Sequence, residues 1–321
     1  MRIFFSSMFV LFFVLDAMAC DICQIYIGLR PKDNFHKVGI NYRNRILRGE
    51  MPLIFNANTK AVHDDILETS KGENLSYVPV EEHYQVVELR AQFAINQKWM
   101  IRASLPYLVT DSWINHELNT AVNGLGDPWI SLNRTLIASK QNDDERALGH
   151  RLRIGIGVKF PLGSTTDRYN DNAIAYDMQP GSGSYDYLGT AEYMLRYGSV
   201  GFSAAIVYKY NTSNLSQYQF GNTTMLNAQV FTFFEGEERF IMPYLSVFQE
   251  FAAKDHSMNE EISQSGGQVS FAGIGLELGI GNLSFEFGSQ LAFHDHLKNS
   301  IAPAKYRITG GISYYFNSTK Q

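Results

Sequence analysis

Between residues 36 and 316 the chain keeps returning to one pattern, an apolar residue alternating with a polar or small one. In 151–163, Leu152, Ile154, Ile156, Val158, Phe160 and Leu162 alternate with Arg151, Arg153, Gly155, Gly157, Lys159 and Pro161. Segment 283–294 repeats the pattern. So does 306–316, with Tyr306, Ile308, Ile312, Tyr314 and Phe316 on one side and Arg307, Thr309, Gly311 and Ser313 on the other. Neighbouring side chains of a strand point to opposite faces, so a period of two builds a sheet with one greasy and one polar face. Helical periodicity is almost absent from the same region. Beyond the N-terminus no run approaches the ~18 apolar residues of a spanning helix.

The spacing predicts an all-β chain of about twelve strands. They lie near 36–47, 83–96, 99–110, 126–139, 150–163, 184–196, 200–211, 223–234, 239–252, 268–280, 283–294 and 305–316. Several are longer than the roughly 5–6 residues typical of globular strands. Their connections sort into two classes that alternate along the chain. Gln97-Lys98, Tyr197–Ser199, Gly236-Glu237 and Gly281-Asn282 are tight turns, and 140–149 is a longer member of that set. Near 48–82, 111–125, 164–183, 212–222, 253–267 and 295–304 the connections are long and polar. Short turns at one end and long loops at the other mark a single antiparallel up-and-down β-barrel of the transmembrane, outer-membrane kind. An even strand number leaves both chain ends on the short-turn, periplasmic side.

Which face is charged decides the solvent. The polar faces of the predicted strands carry Arg43, Arg45, Glu88, Arg90, Arg102, Arg151, Arg153, Lys159, Glu192, Arg196, Lys209, Glu250, Glu277, Glu286 and Arg307. A soluble or lipocalin-like barrel turns its apolar face inward. A membrane barrel inverts this and lines a wet lumen with charge. Alternation alone fits both; strand length, loop sorting and the leader described below select the membrane barrel. Charged residues are only 18% of the chain, under the roughly 25% of soluble domains. Aromatic residues gather near predicted strand ends, as an interfacial girdle requires, although β-propensity also favours them. Tyr42, Tyr84, Tyr107, Trp113, Trp129, Tyr208, Tyr314 and Phe316 are among them. With Asp127 and Asp186 counted, ten basic residues meet seven acidic ones on the predicted lumen face, a balance of +3 against a whole-chain charge of −5. Two readings stay open: a cationic constriction favouring anions, or an ion-pair lattice that rigidifies or plugs a narrow lumen. The net negative charge excludes a strongly basic nucleic-acid binder.

The first residues read as a secretory leader. Arg2 precedes the apolar run 3–15, and Ala17-Met18-Ala19 is an A-x-A cleavage site. The expected division is a signal peptide at 1–19, a periplasmic segment at 20–34, the barrel at 35–316 and a tail at 317–321. At the carboxyl end, Thr309-x-Gly311-x-x-Tyr314-x-Phe316 resembles the signal read by the bacterial barrel assembly machinery. That machinery and outer-membrane lipid are the expected partners, with a small-molecule solute.

Three stretches carry a family resemblance, in order: Asn123-Gly124-Leu125-Gly126-Asp127-Pro128-Trp129, Lys159-Phe160-Pro161-Leu162-Gly163 and Gln179-Pro180-Gly181-Ser182-Gly183-Ser184-Tyr185-Asp186. Over about 120–190 they resemble the outer-membrane transporter family named for the MetA pathway of phenol degradation. Cys20-Asp21-Ile22-Cys23 is similar to the start of Bacteroidetes-type members. The family's usual Pro-Thr-Gly stands here as Pro161-Leu162-Gly163. The resemblance implies passage of small molecules, aromatic ones among them. The glycines are expected to shape the barrel rim rather than to bind ligand.

Other chemistry has few candidates. Cys20 and Cys23 read as a disulfide or an inert pair, as ligands of a copper or zinc ion, or as a redox or lipid-modified pair. No other cofactor is expected. His294 and His296 share a strand face, but with no third ligand in view they read as a solvated loop tip. Neither a Ser–His arrangement on a lipid-facing strand nor a nucleotide or zinc-protease motif is present, so an enzyme is not expected. The reading is an outer-membrane channel for passive diffusion of small molecules, hydrophobic or anionic. The alternative is a non-conducting barrel for metal handling or surface interaction through the Cys pair.

Overall fold

The computed structural model describes residues 36–52, 77–139, 148–263, 265–295 and 302–316. The leader, Cys20 and Cys23, most of the 48–82 connection, His296 and the 317–321 tail lie outside these residues. Thirteen long strands run through them. They are β1 His36–Pro52, β2 Tyr77–Ala94, β3 Trp99–Ile114, β4 Glu117–Leu125, β5 Trp129–Ala138, β6 Leu148–Lys159, β7 Asp186–Tyr197, β8 Val200–Tyr210, β9 Thr223–Thr232, β10 Arg239–Ala252, β11 Gly267–Ile280, β12 Leu283–Asp295 and β13 Ala304–Phe316. The 3-10 turn Tyr176–Met178 lies in the connection between β6 and β7.

β4 and β5 are one stave in two pieces. β3 pairs with β4 through Leu108 opposite Gly124, then with β5 through Ser104 opposite Trp129. The interruption is Gly126-Asp127-Pro128, where the proline has no N–H to give a ladder. Twelve staves result. All pair antiparallel, and β1 pairs with β13 from His36 opposite Phe316 to Leu47 opposite Ala304, which closes the barrel.

The long loop expected at 111–125 is corrected. β3 continues to Ile114 and β4 returns from Glu117 across the two-residue turn Asn115-His116, with φ of 52° and 65°. Both left-handed residues are what a tight hairpin of this twist demands. Asp111, Ser112, Asn119 and Thr120 make the hairpin polar on both faces, so it carries no alternation for a sequence reading to detect.

The faces are inverted relative to a soluble protein. Leu245, Ile274 and Leu291 point outward and are 64%, 64% and 65% exposed. Arg45, Arg153, Lys209 and Glu250 point inward and are buried. An outward sheet of Leu, Ile, Val and Phe is stable only against hydrocarbon, and only a closed barrel leaves no unpaired backbone there. On the outside of β2 the greasy run Phe93, Leu89 and Val87 gives way to Gln85, His83 and Glu81 toward the loop end. There Tyr42 Oη donates to Gln85 Oε1 at 3.0 Å and Arg48 Nε to Glu81 Oε2 at 2.9 Å. Tyr42, Tyr107, Tyr208, Tyr314 and Phe316 stand on this outer surface. Two expected girdle residues do not. Tyr84 shares the inward face of Glu88, and Trp129 that of Ser131, so both turn into the barrel.

The interior is packed. Toward the loop end Leu47, Val80, Leu188, Val207, Met225, Phe248, Val269 and Phe271 form an apolar core inside the barrel. Toward the turn end Met194, Phe231, Phe233, Met242 and Tyr244 form a second one. A charge on the lipid face is the sharpest check of the inverted polarity. Leu245→Arg is expected to destabilise the barrel by about 2–4 kcal/mol. The measurement is urea unfolding in lipid vesicles, followed by heat-modifiable gel mobility.

Candidate functional site

The three motif stretches, far apart in sequence, converge on one carboxylate. Asp127 stands in the break between β4 and β5 and is buried. Its Oδ1 accepts from Gly163 N–H at 2.9 Å. Its Oδ2 accepts from Ser182 N–H at 2.8 Å, Ser182 Oγ at 2.9 Å and Lys159 Nζ at 2.9 Å. Lys159, the last residue of β6, also lies 2.6 Å from Asp186 Oδ2, at the first residue of β7. Asp186 Oδ1 accepts from Ser184 Oγ at 2.9 Å and Thr212 N–H at 3.2 Å. One lysine between two carboxylates, with five further donors, is the arrangement that lets buried charges persist.

The network ties the 160–185 connection down. Gly163 and Gly181 cross in direct contact: a Cβ on Gly163 would meet Gly181 Cα at 2.6 Å, and one on Gly181 would meet Gly163 O at 2.4 Å. Neither position has room for a side chain. The Pro-Leu-Gly and Pro-Gly elements are therefore the two sides of one chain crossing. Gln179 braces the same connection from within: its Nε2 donates to Asp167 O at 3.0 Å, and its Oε1 accepts from Asp167 N–H at 3.1 Å.

So held, the connection caps the barrel mouth. Met178 is buried in the apolar core of the loop end. Tyr176 stacks on Tyr218 with centroids 4.0 Å apart, and Tyr218 meets Phe220 edge-on at 5.1 Å. Tyr218 Oη donates to Asp255 Oδ2 at 2.6 Å, and Gly221 N–H to Asp255 Oδ1 at 2.7 Å. Burial pushes the Asp255 carboxyl above the usual carboxylate range, against the pull of those two donors. Tyr218–Gln219 also pairs with His256–Ser257, which pairs with Glu260–Glu261. Three external connections thus interlock into a lid.

Beneath the lid the predicted lumen residues all lie on the inner face. Arg43, Arg45, Glu88, Arg153, Lys159, Glu192, Lys209, Glu250, Glu277, Glu286 and Arg307 are buried. Arg90, Arg102, Arg151 and Arg196 are half-buried. They form separate groups rather than one ring. Arg102 and Arg153 converge on Glu192, the second at 3.4 Å. Glu88 pairs with Arg90 and accepts from Ser104. Arg45 faces Glu250 at 3.8 Å. Tyr315 Oη lies 3.5 Å from Glu277 Oε1. Arg196 stands over the Phe233 ring at 4.9 Å.

In the assembly motif Tyr314 and Phe316 are exposed on the outer face with their rings 4.9 Å apart, while Thr309 and Gly311 are half-buried. His294 bonds Gln268 at 2.9 Å. Among the described residues no group of three metal-binding side chains occurs. The expected metal pair Cys20 and Cys23 lies outside them.

The sequence reading missed the apolar filling, notably Met178, Phe248 and Phe271. A signal existed in Tyr244, Leu245, Val247 and Phe248, which are apolar on both strand faces. A membrane barrel strand with an apolar inner face reports a filled lumen.

No protein-family model matches the sequence, and no curated protein does. Similarity exists at the level of fold. An outer membrane channel from Pseudomonas putida F1 is similar over 90% of this chain and 100% of its own, with a TM-score of 0.58 at 8% identity. The beta domain of the Bordetella autotransporter BrkA covers 88% of this chain and 100% of its own, with a TM-score of 0.44 at 11% identity. The CymD monoaromatic hydrocarbon channel covers 90% and 90%, with a TM-score of 0.39 at 9% identity. The last two are similar in barrel outline alone. The transporter family that 123–186 resembles is not established by these matches. The architecture is that of an outer-membrane barrel, and the inverted faces place the chain in that membrane.

Removing the hub carboxylate tests the lid. Asp127→Ala leaves Lys159 with Asp186 as its one carboxylate and strands three loop donors, at a cost of about 3–5 kcal/mol. Trypsin added outside intact cells is expected to cut after Arg168 in this variant and in Gly163→Ala. The wild-type loop should survive the same digestion.

Proposed function

We propose that this protein is an outer-membrane channel through which small solutes cross by diffusion, with its lumen closed by the 160–185 lid in the state described. One observation carries the reading: the cap over a charge-lined barrel is anchored to the wall by a polar network at Asp127, beside the apolar seat of Met178. Such a network has discrete made and broken states, whereas a packed core resists graded deformation. Fold similarity to a channel supports the reading without naming a solute. Selection would be steric and electrostatic, with no energy-coupling element required. Insertion through the assembly machinery, guided by Thr309, Gly311, Tyr314 and Phe316, belongs to the same proposal.

The packed interior favours a second reading, a barrel that does not conduct. Arg45 and Glu250 are 1% and 0% exposed, so water does not reach these inward charges. Planar-bilayer recording separates the two. Wild type should show discrete, infrequent openings, and Asp127→Ala should open more often or conduct more. Silence in both proteins, with heat-modifiable mobility intact, would establish the non-conducting barrel.

A further inference from the structure

Beneath the lid lies a fully buried layer of charge. Arg45 of β1, Lys209 of β8, Glu250 of β10 and Arg307 of β13 are each no more than 2% exposed. Arg45 Nη1 lies 3.8 Å from Glu250 Oε2. Arg307, Lys209 and Arg43 are the other cations acting on that carboxylate; Arg43 acts on Glu88 as well, Arg45 on Glu82 and Lys209 on Asp255. Glu250 thus stands among four cations, yet neither of its oxygens accepts a hydrogen bond. Guanidinium groups are matched to carboxylates that approach closely enough for paired N–H···O bonds. Glu250 stands off from that geometry.

The walls of this layer are aromatic. The Arg307 guanidinium stands over Phe248 at 4.5 Å and over Phe271 at 4.3 Å, and that of Arg45 over Phe271 at 5.6 Å. Arg307 Nη1 also donates to Gln290 Oε1 at 3.3 Å. Stacking orients the guanidinium planes, and the rings supply an apolar surface beside them. A solute matched to both features carries a carboxylate at one end and an apolar body at the other.

We propose that this layer is a recognition site for small organic carboxylates with an apolar body, and that Glu250 is a tethered counterion that holds the site while the lumen is closed. An arriving carboxylate takes the place of the Glu250 carboxylate beside Arg45 and Arg307, and its apolar body lies against Phe248 and Phe271. The proposal rests on the channel reading for access to the layer. Glu250 would then set specificity, since it competes with solute for the same cations.

Benzoate is the probe, with benzyl alcohol as the uncharged control. Full-length Glu250→Gln keeps the shape and removes the competing charge. In bilayers under a potassium chloride gradient its reversal potential should shift toward chloride selectivity. Benzoate should block its current at several-fold lower concentration than in wild type. Arg307→Gln should shift selectivity the other way and lose the block. A second readout needs no conductance: benzoate, and not benzyl alcohol, should raise the thermal midpoint of the folded barrel at matched ionic strength. Should Glu250→Gln fail to fold, the same shift is expected of wild type at saturating benzoate.

Stabilisation by benzoate without conductance would sink the channel reading and leave the site standing. Conductance with unchanged selectivity in Glu250→Gln, or benzoate and benzyl alcohol acting alike on stability, would overturn the site.

Discussion

In hydrocarbon no water replaces a missing hydrogen-bond partner, and each unpaired backbone group there costs several kcal/mol. The pairing of β1 with β13 is therefore the contact on which the other staves depend. Open that seam and two strand edges face lipid. Closed, it gives every stave two neighbours and commits each strand to one register. A one-residue slip of β1 would exchange its faces, sending Arg43 and Arg45 into lipid and Tyr42 and Asn44 into the lumen.

Closure also sets the volume to be filled. Twelve staves enclose more space than the eight of a filled barrel and less than the sixteen or so of an open porin. This chain fills that space with two apolar clusters, layered ion pairs and one inward-folded connection. The connection is anchored by more than the apolar seat of Met178. Asp127 holds it because a broken stave presents a buried carboxylate to two backbone N–H groups, a hydroxyl and a lysine at once. The break at 126–128, costly to the ladder, is what makes the carboxylate available.

Most strands were legible in the sequence because lipid lies on one side of them and a polar interior on the other. That contrast is written directly into residues such as 151–159. Legibility ended wherever both sides share one solvent. Residues 111–125 carry polar side chains on both faces and read as a loop, yet they form a hairpin. Tyr84 and Trp129 were expected outside because aromatics near strand ends suit an interface; parity put them inside. The inward position of the predicted charged residues follows from the same parity. Their partners do not: Arg102 with Glu192 joins positions ninety residues apart.

The sequence by itself determined the strand period, the inverted faces, the sorting of most turns from loops and the charged residues that face the interior. Those properties depend on backbone geometry within a strand and on which solvent each face meets, so they are local. Only the tertiary structure decided that three glycine-bearing motifs meet at Asp127, that 160–185 folds inward as a lid, and that Glu250 sits among Arg45, Lys209 and Arg307. Those meetings depend on how far each stave is shifted along its neighbour before the barrel closes. That shift accumulates around the whole circumference, and no single segment records it.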